Sequence, residues 1–310
     1  MKLKHYCVKI FGFFWSGVHD VCISLCGQAN PYAILQTAHR IEKGLTIENP
    51  RRLWGWNKVE KLVKMIEKEL NARNTDVFAV QTGASVLKAY IAQKESQGDN
   101  GESDRARKLL NSSEQVKKLV EEVDVIGGSH CVKKPVFSEN DQHFLEGFFA
   151  SRHSIREFEK KEIDKGLLIK AVEMALSCPS ACNRQPSKVY CVDGDKRTSL
   201  GFDNTYQADK YLIITSDMKA FTRPEYGDWV VSTSMFAAYL VLSLHAYGIG
   251  SCVLRKEMLF GNEYNSAMRK ALKIPGNEKI ILELAIGYYK DDNCVAYSNR
   301  RNPEDVIFFS

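Results

Sequence analysis

The sequence carries no Gly-x-Gly-x-x-Gly after a strand-like run and no Gly-x-x-x-x-Gly-Lys-Ser/Thr loop, which argues against both a dinucleotide-binding βαβ unit and a P-loop. Any dinucleotide it uses must therefore visit a pocket built for another ligand. Cys-x-x-Cys is also missing. The nine cysteines are odd in number and scattered through 310 residues, a usage that argues against a disulfide framework and for a reducing, cytoplasmic compartment. Cys22 and Cys26, like Cys178 and Cys182, are four apart; they read as core or incidental thiols, and no metal is expected. No block of Lys and Arg stands behind the mild net charge of +5, so nucleic acid is not an expected partner, although the excess would help attract small anions.

What is present suits a soluble globular protein long enough for two domains, with 26% charged and 44% apolar residues. Residues 1–140 read as helical throughout and residues 141–310 as a mixture of helices and strands. Residues 1–26 set Lys2, Lys4 and His5 before Ile10-Phe-Gly-Phe-Phe-Trp15, and Lys9, His19 and Asp20 interrupt the apolar pattern. That falls short of the roughly 20 apolar residues a spanning helix requires. The segment is expected to pack as an amphipathic helix against its own protein or a dimer partner; contact with a membrane surface is the alternative.

From Pro31 to Leu70 the pattern is helical, with Gly44 placed to form a left-handed cap and Val59, Leu62, Val63, Ile66 and Leu70 at helical period. His39, Arg40, Glu42 and Lys43 cluster, but nothing there positions a substrate, and an ion-paired helix face is expected. A helix over 76–93, a polar loop over 94–104, a helix over 105–123 and a linker from Gly127 to Pro135 complete this half, which reads more as a surface arm than as a catalytic domain.

In the second half, Phe144, Phe148 and Phe149 are expected in the core. Leu167, Leu168, Ala171, Val172, Ala175 and Leu176 share one face of a helix. Strands are expected over 188–192, 211–216 and 279–289. Residues 229–247 form a helix apolar at nearly every position, which must be covered on all sides; a homodimer partner is the economical cover.

Two stretches carry possible chemistry. Arg152, His153, Ser154 and Arg156 crowd cations and a hydroxyl into five residues, suiting a doubly charged phosphate as well as a solvated basic turn. Pro179 and Pro186 bracket Ser180, Asn183 and Gln185 on a loop after a helix, where short polar side chains and free backbone amides suit a flat heteroaromatic ring. An ordinary helix-ending turn is the plainer reading.

Four motifs in order, Arg152-His-Ser-Ile-Arg-x-Phe158, Pro179-Ser-Ala-x-Asn-x-Gln-Pro186, Tyr247-Gly-Ile-Gly-Ser-Cys252 and Arg300-Arg-Asn-Pro-Glu-Asp-Val306, resemble the nitroreductase-like family of FMN-dependent oxidoreductases. The resemblance covers 141–310. It implies an α+β fold with a mixed sheet flanked by helices, an intertwined homodimer and FMN at the interface. Arg152, His153, Ser154 and Arg156 would hold the phosphate and ribityl chain, with Arg301 and Arg300 closing from the C-terminus. Ser180, Ala181, Asn183 and Gln185 would reach the flavin across the interface, and Gly250 and Ser251 would form a turn along its ring.

It also implies reduction of a nitro or other electron-poor small molecule by NADH or NADPH in ping-pong order. No side chain need act as acid or base, because the flavin carries the hydride. Tyr206, Arg223 and Tyr226 could line the substrate face or simply a loop. Ser187 replaces an aromatic common after Gln-Pro, and the short 202–228 segment leaves little chain for a lid. The alternatives are another flavin-dependent biosynthetic reaction and a non-catalytic flavin-binding or membrane-associated interaction protein.

Overall fold

The computed structural model describes residues 18, 31–47, 55–202, 204, 206–222, 225, 227–254 and 263–309. The expectation for residues 1–26 therefore lies outside the described residues, apart from Val18. Those for Arg223 and Tyr226 do as well.

The N-terminal half is helical, built from α1 (Pro31–Leu45), α2 (Trp56–Leu70), α3 (Val77–Ser96), α4 (Asn100–Leu110) and α5 (Glu114–Glu122). Ile34, Ala38 and Ile41 of α1, Leu62 and Ile66 of α2, Leu87 of α3 and Val116 of α5 meet in one core. Their helical spacing brings them to a single face of each helix. His39 Nδ1 lies 3.2 Å from Glu42 Oε2, the expected ion-paired face. Three details differ from expectation. Gly44 is buried inside α1 and has no left-handed backbone. The polar stretch 94–104 is mostly helical, because Asp99 caps α4 through the Glu102 amide. The helix expected over 105–123 breaks at Asn111–Ser113, where the Ser112 hydroxyl bonds back to the Leu109 carbonyl and competes with helix continuation.

The second half is α+β. Helices α6 (Glu139–Ser151) and α7 (Lys165–Ala175) precede strand β1 (Ser187–Asp193), short helix α8 (Gly194–Ser199) and strand β2 (Lys210–Asp217). Helix α9 (Asp228–Ala246), strand β3 (Ile249–Leu254), helix α10 (Glu263–Leu272) and strand β4 (Glu278–Tyr288) follow. The strands lie in the order β1-β2-β4-β3, each adjacent pair antiparallel. A parallel bridge from Ser154 to Ser251 gives the sheet its mixed character.

Alternation along the central strands divides the core. Leu212, Ile214, Leu284 and Ile286 face α7 and α9, while Tyr211, Ile213 and Ala285 face Ile155, Phe158 and Met268. Strand β3 was expected as a turn. The turn lies earlier, at Gly248 with φ 70°, and pairing with β4 overrides the poor strand propensity of Gly250 and Ser251.

The aromatic residues of α6 are not core. That helix has no buried residue, and Phe144 and Phe149 are 71% and 58% exposed. Helix α9 is likewise covered on one side only, with Val231, Met235 and Tyr239 exposed one turn apart. After β4, residues 290–309 form an exposed arm whose Tyr297, Phe308 and Phe309 are uncovered within the chain.

Candidate active site

The segment after α6 is held by shape. Ile155 and Phe158 point inward and are buried, and the Ile155 amide donates 3.0 Å to the Ser251 carbonyl. Beneath them Gly250 pairs with Gly287 across β3 and β4. A Cβ on Gly250 would stand 3.0 Å from Ile155 Cγ1, and one on Gly287 2.6 Å from Phe158 Cβ. Gly250 approaches Ile155 closely and stands on a strand, not in the turn expected for it.

This anchoring leaves Arg152, His153 and Ser154 half-buried and Arg156 exposed along the β3 edge, beside Ser251. The structure therefore brings together Arg152, His153, Ser154, Arg156, Gly250 and Ser251. His245 lies under this rim, its Nε2 2.9 Å from Ser151 Oγ and its Nδ1 2.8 Å from the Tyr289 hydroxyl. Burial lowers the His245 pKa, and the nearby Arg152 and His153 add to the effect. Burial raises that of Tyr289. Both shifts favour the uncharged form of the group. The sequence reading missed both.

The loop Pro179–Pro186 is a second local structure. Its 3-10 turn spans Ala181–Asn183, and Cys182, Asn183 and Gln185 hold φ of 50°, 49° and 49°, a region non-glycine residues rarely occupy. The amides expected to be free are engaged. Ala181 donates to Ser232 Oγ at 3.3 Å, Asn183 to the Ser180 carbonyl at 3.0 Å, and Gln185 to Ser180 Oγ at 3.1 Å. Ser180 thus organises the loop, leaving the exposed Asn183 side chain and the half-buried Gln185 as its outward polar groups.

Arg184, one of the two unspecified positions of the motif, is 2% exposed. Its guanidinium grips Glu225 through two bonds of 2.9 and 2.7 Å, and it also donates to the carbonyls of Ala181 and Ala220. Partial burial works against ionisation of Glu225, but the hydrogen bonds from Arg184 and Thr222 win and hold its pKa at about 2. Neither residue was legible beforehand; a lone Arg inside a polar loop gives no sign that it is buried.

The two groups of residues are not adjacent. Ser180–Gln185 lead into β1, and Arg152–Arg156 flank β3, the opposite edge of the sheet. With strands about 4.8 Å apart, roughly 14 Å separates the edges. Arg300 and Arg301 lie on the exposed arm, where Arg300 donates to the Ser298 carbonyl and Arg301 forms no ion pair with any described residue. The base of the arm is tied beside the rim, through Lys290 to Glu157 at 2.8 Å and Asn293 to the Glu157 carbonyl at 2.8 Å. A single chain therefore does not close Arg301 on Arg152. Tyr206 packs half-buried against the core and not on an open face.

A cleft of about 860 Å³ lies elsewhere, between Glu159–Glu162 and Asp193–Lys196. Its buried Lys210 is neutralised by Asp193, Asp209 and Glu162. Nothing there resembles a ring site.

Residues 149–225 match the Nitroreductase family, a stretch that contains both Arg152–Arg156 and Ser180–Gln185. A candidate NADH dehydrogenase/NAD(P)H nitroreductase of Archaeoglobus fulgidus is 27% identical over 167 residues, 50% of this chain and 92% of that protein. Among solved structures, an FMN-dependent nitroreductase from Clostridium difficile is 24% identical with a TM-score of 0.44, covering 53% of this chain and 98% of that one. A candidate nitroreductase from Bacillus subtilis is 17% identical with a TM-score of 0.46, covering 55% and 100%.

Proposed function

Since the C-terminal half of the chain is nitroreductase-like, we propose that the protein is an FMN-dependent oxidoreductase drawing electrons from NADH or NADPH. The observation that carries the proposal is the rim of Arg152, His153, Ser154 and Arg156, fixed beside Ser251 by the seating of Ile155 and Phe158. A phosphate dianion leaving water must be met by charged hydrogen-bond donors, and the rim supplies them on a rigid edge. Arg152 and Arg156 bind the phosphate, Ser154 and His153 the adjoining hydroxyls, and Asn183 and Gln185 the ring edge.

A bound flavin would supply the hydride chemistry between NADH or NADPH and an electron-poor acceptor, with the two sharing one pocket in ping-pong order. The residues bind, orient and exclude water; none is assigned a proton-transfer role.

A homodimer completes this reading. The ring loop and the phosphate rim stand at opposite edges of one sheet, and the exposed faces of α6, α9 and the C-terminal arm are apolar. A partner would cover those faces, bring its own loop to the rim, and return Arg301 to the phosphate. A cytoplasmic setting accords with the free cysteines among the described residues, of which Cys131, Cys191 and Cys294 are exposed.

The test is the visible spectrum of the purified protein before and after anaerobic NADH or NADPH, with Arg152→Ala alongside. Flavin bands that bleach are expected. The variant should lose FMN affinity by about 1.5–3 kcal/mol while keeping riboflavin affinity. A colourless protein that does not take up FMN would overturn the proposal; equal losses for both ligands would remove the phosphate assignment.

A further inference from the structure

The helical region meets the C-terminal domain at the ring loop, not at the phosphate rim. Helix α1 runs alongside the turn Ala181–Asn183 and the 3-10 turn Met218–Ala220. Tyr32 and Ala181 pack against the same cluster of Met218, Ala220, Phe221, Trp229 and Ile281. The Tyr32 hydroxyl donates 3.0 Å to Asp217 Oδ2, while Asp217 Oδ1 receives the Lys219 amide and Asn277 Nδ2 at 2.9 and 2.8 Å. One turn along α1, Gln36 Nε2 reaches Glu225 Oε1 at 3.5 Å.

Glu225 is the junction. Its oxygens receive Arg184 from the ring loop, and Oε2 also receives the amide and hydroxyl of Thr222. Arg184 returns the connection to the loop through the Ala181 carbonyl at 2.8 Å.

A buried ion pair is seldom the most stable way to fill a space, since desolvation offsets most of its attraction. Here it lies against a loop that needs external restraint. Cys182, Asn183 and Gln185 all hold left-handed backbone, a conformation that persists only where the surroundings enforce it. Ser180 restrains the loop from within; α1 and the Glu225–Arg184 pair restrain it from outside.

We infer that Tyr32 and Glu225 are positioning residues for Asn183 and Gln185, so that the helical N-terminal region is a working part of the ring site. The identity of the ligand rests on the proposed function. The mechanical coupling between α1 and the loop does not.

Cys182 provides a reporter, being a half-buried free thiol in the middle of the loop. Its alkylation rate by iodoacetamide, resolved by peptide mass spectrometry, is compared in full-length wild type, Glu225→Gln and Tyr32→Phe after flavin removal, with buried Cys178 as reference. Glu225→Gln should accelerate Cys182 roughly tenfold or more and Tyr32→Phe about threefold, reflecting a charged and a single hydroxyl hydrogen bond, with Cys178 unchanged. FMN and riboflavin should weaken by the same factor in Glu225→Gln, because the loop meets the ring and not the phosphate.

A wild-type Cys182 rate in Tyr32→Phe would overturn the inference, and this milder variant decides the matter if Glu225→Gln does not fold. A loss of FMN far exceeding that of riboflavin in Glu225→Gln would also overturn it. If the wild type takes up neither ligand, the proposed function fails, and the alkylation rates still decide the coupling.

Discussion

The two halves of the chain treat apolar surface and charge in opposite ways. In the helical half, the core drawn from α1, α2, α3 and α5 is closed by its own helices, and its charges pair locally, as in Lys94 with Asp99 and Arg107 with Glu95. In the C-terminal half, Phe144, Phe149, Val231 and Met235 are left uncovered, and Arg152, Arg156 and Arg301 form no ion pair with any described residue. The first region closes its own core and meets the second at Tyr32 and Gln36. The second leaves apolar faces and cations open within the chain, and the proposed function is built on that difference.

The contrast can be broken most directly at the closed core. Leu62→Ala removes a fully buried side chain and should cost about 2–5 kcal/mol, read as a lowered urea midpoint. A smaller loss of stability, with a larger change in assembly, is expected at the open face. Met235→Glu, at a position 44% exposed, should change monomer stability by less than about 0.5 kcal/mol while shifting sedimentation from dimer to monomer. If it destabilised the chain as much as Leu62→Ala and left sedimentation unaltered, the two halves would not differ in the way described.

A third effect is a pH dependence at the contact between the halves. Glu225 has its pKa depressed from 4.5 to about 2 in the folded chain, so its contribution is present above the unfolded value and is lost as pH falls through the folded one. Acid unfolding between about pH 4.5 and 2 should therefore be shallower for Glu225→Gln than for wild type. Superimposable acid transitions would show that the Arg184 contact adds nothing to stability.

Much of this architecture was legible because it rests on periodicity. Val59, Leu62, Val63 and Ile66 mark α2, and the apolar runs at 211–214 and 280–281 mark strands that are indeed central and buried. Where the pattern is ambiguous the reading failed for identifiable reasons. The aromatics of α6 suggest a core, but an apolar face looks the same whether its own chain or another covers it. Strand β3 borrows its conformation from β4, and Gly250-Ser-Cys252 lacks strand formers of its own. In the candidate site, the motifs named Arg152–Arg156 and Gly250–Ser251 separately, and the bridge that joins Ser154 to Ser251 appears only in the fold. The engagement of the loop amides and the roles of Arg184, Glu225, His245 and Tyr289 were not legible either, since they depend on long-range contacts that no local spacing encodes.

The Gly250–Gly287 pair has a consequence beyond packing. What sets the height of the cationic rim above the sheet is the depth of a mould, and that depth is defined by two absent methyl groups under Ile155 and Phe158. The position of the rim can therefore be altered through volume alone, at positions that carry no charge. A methyl group added at either glycine would displace the rim while every polar residue on it stayed the same.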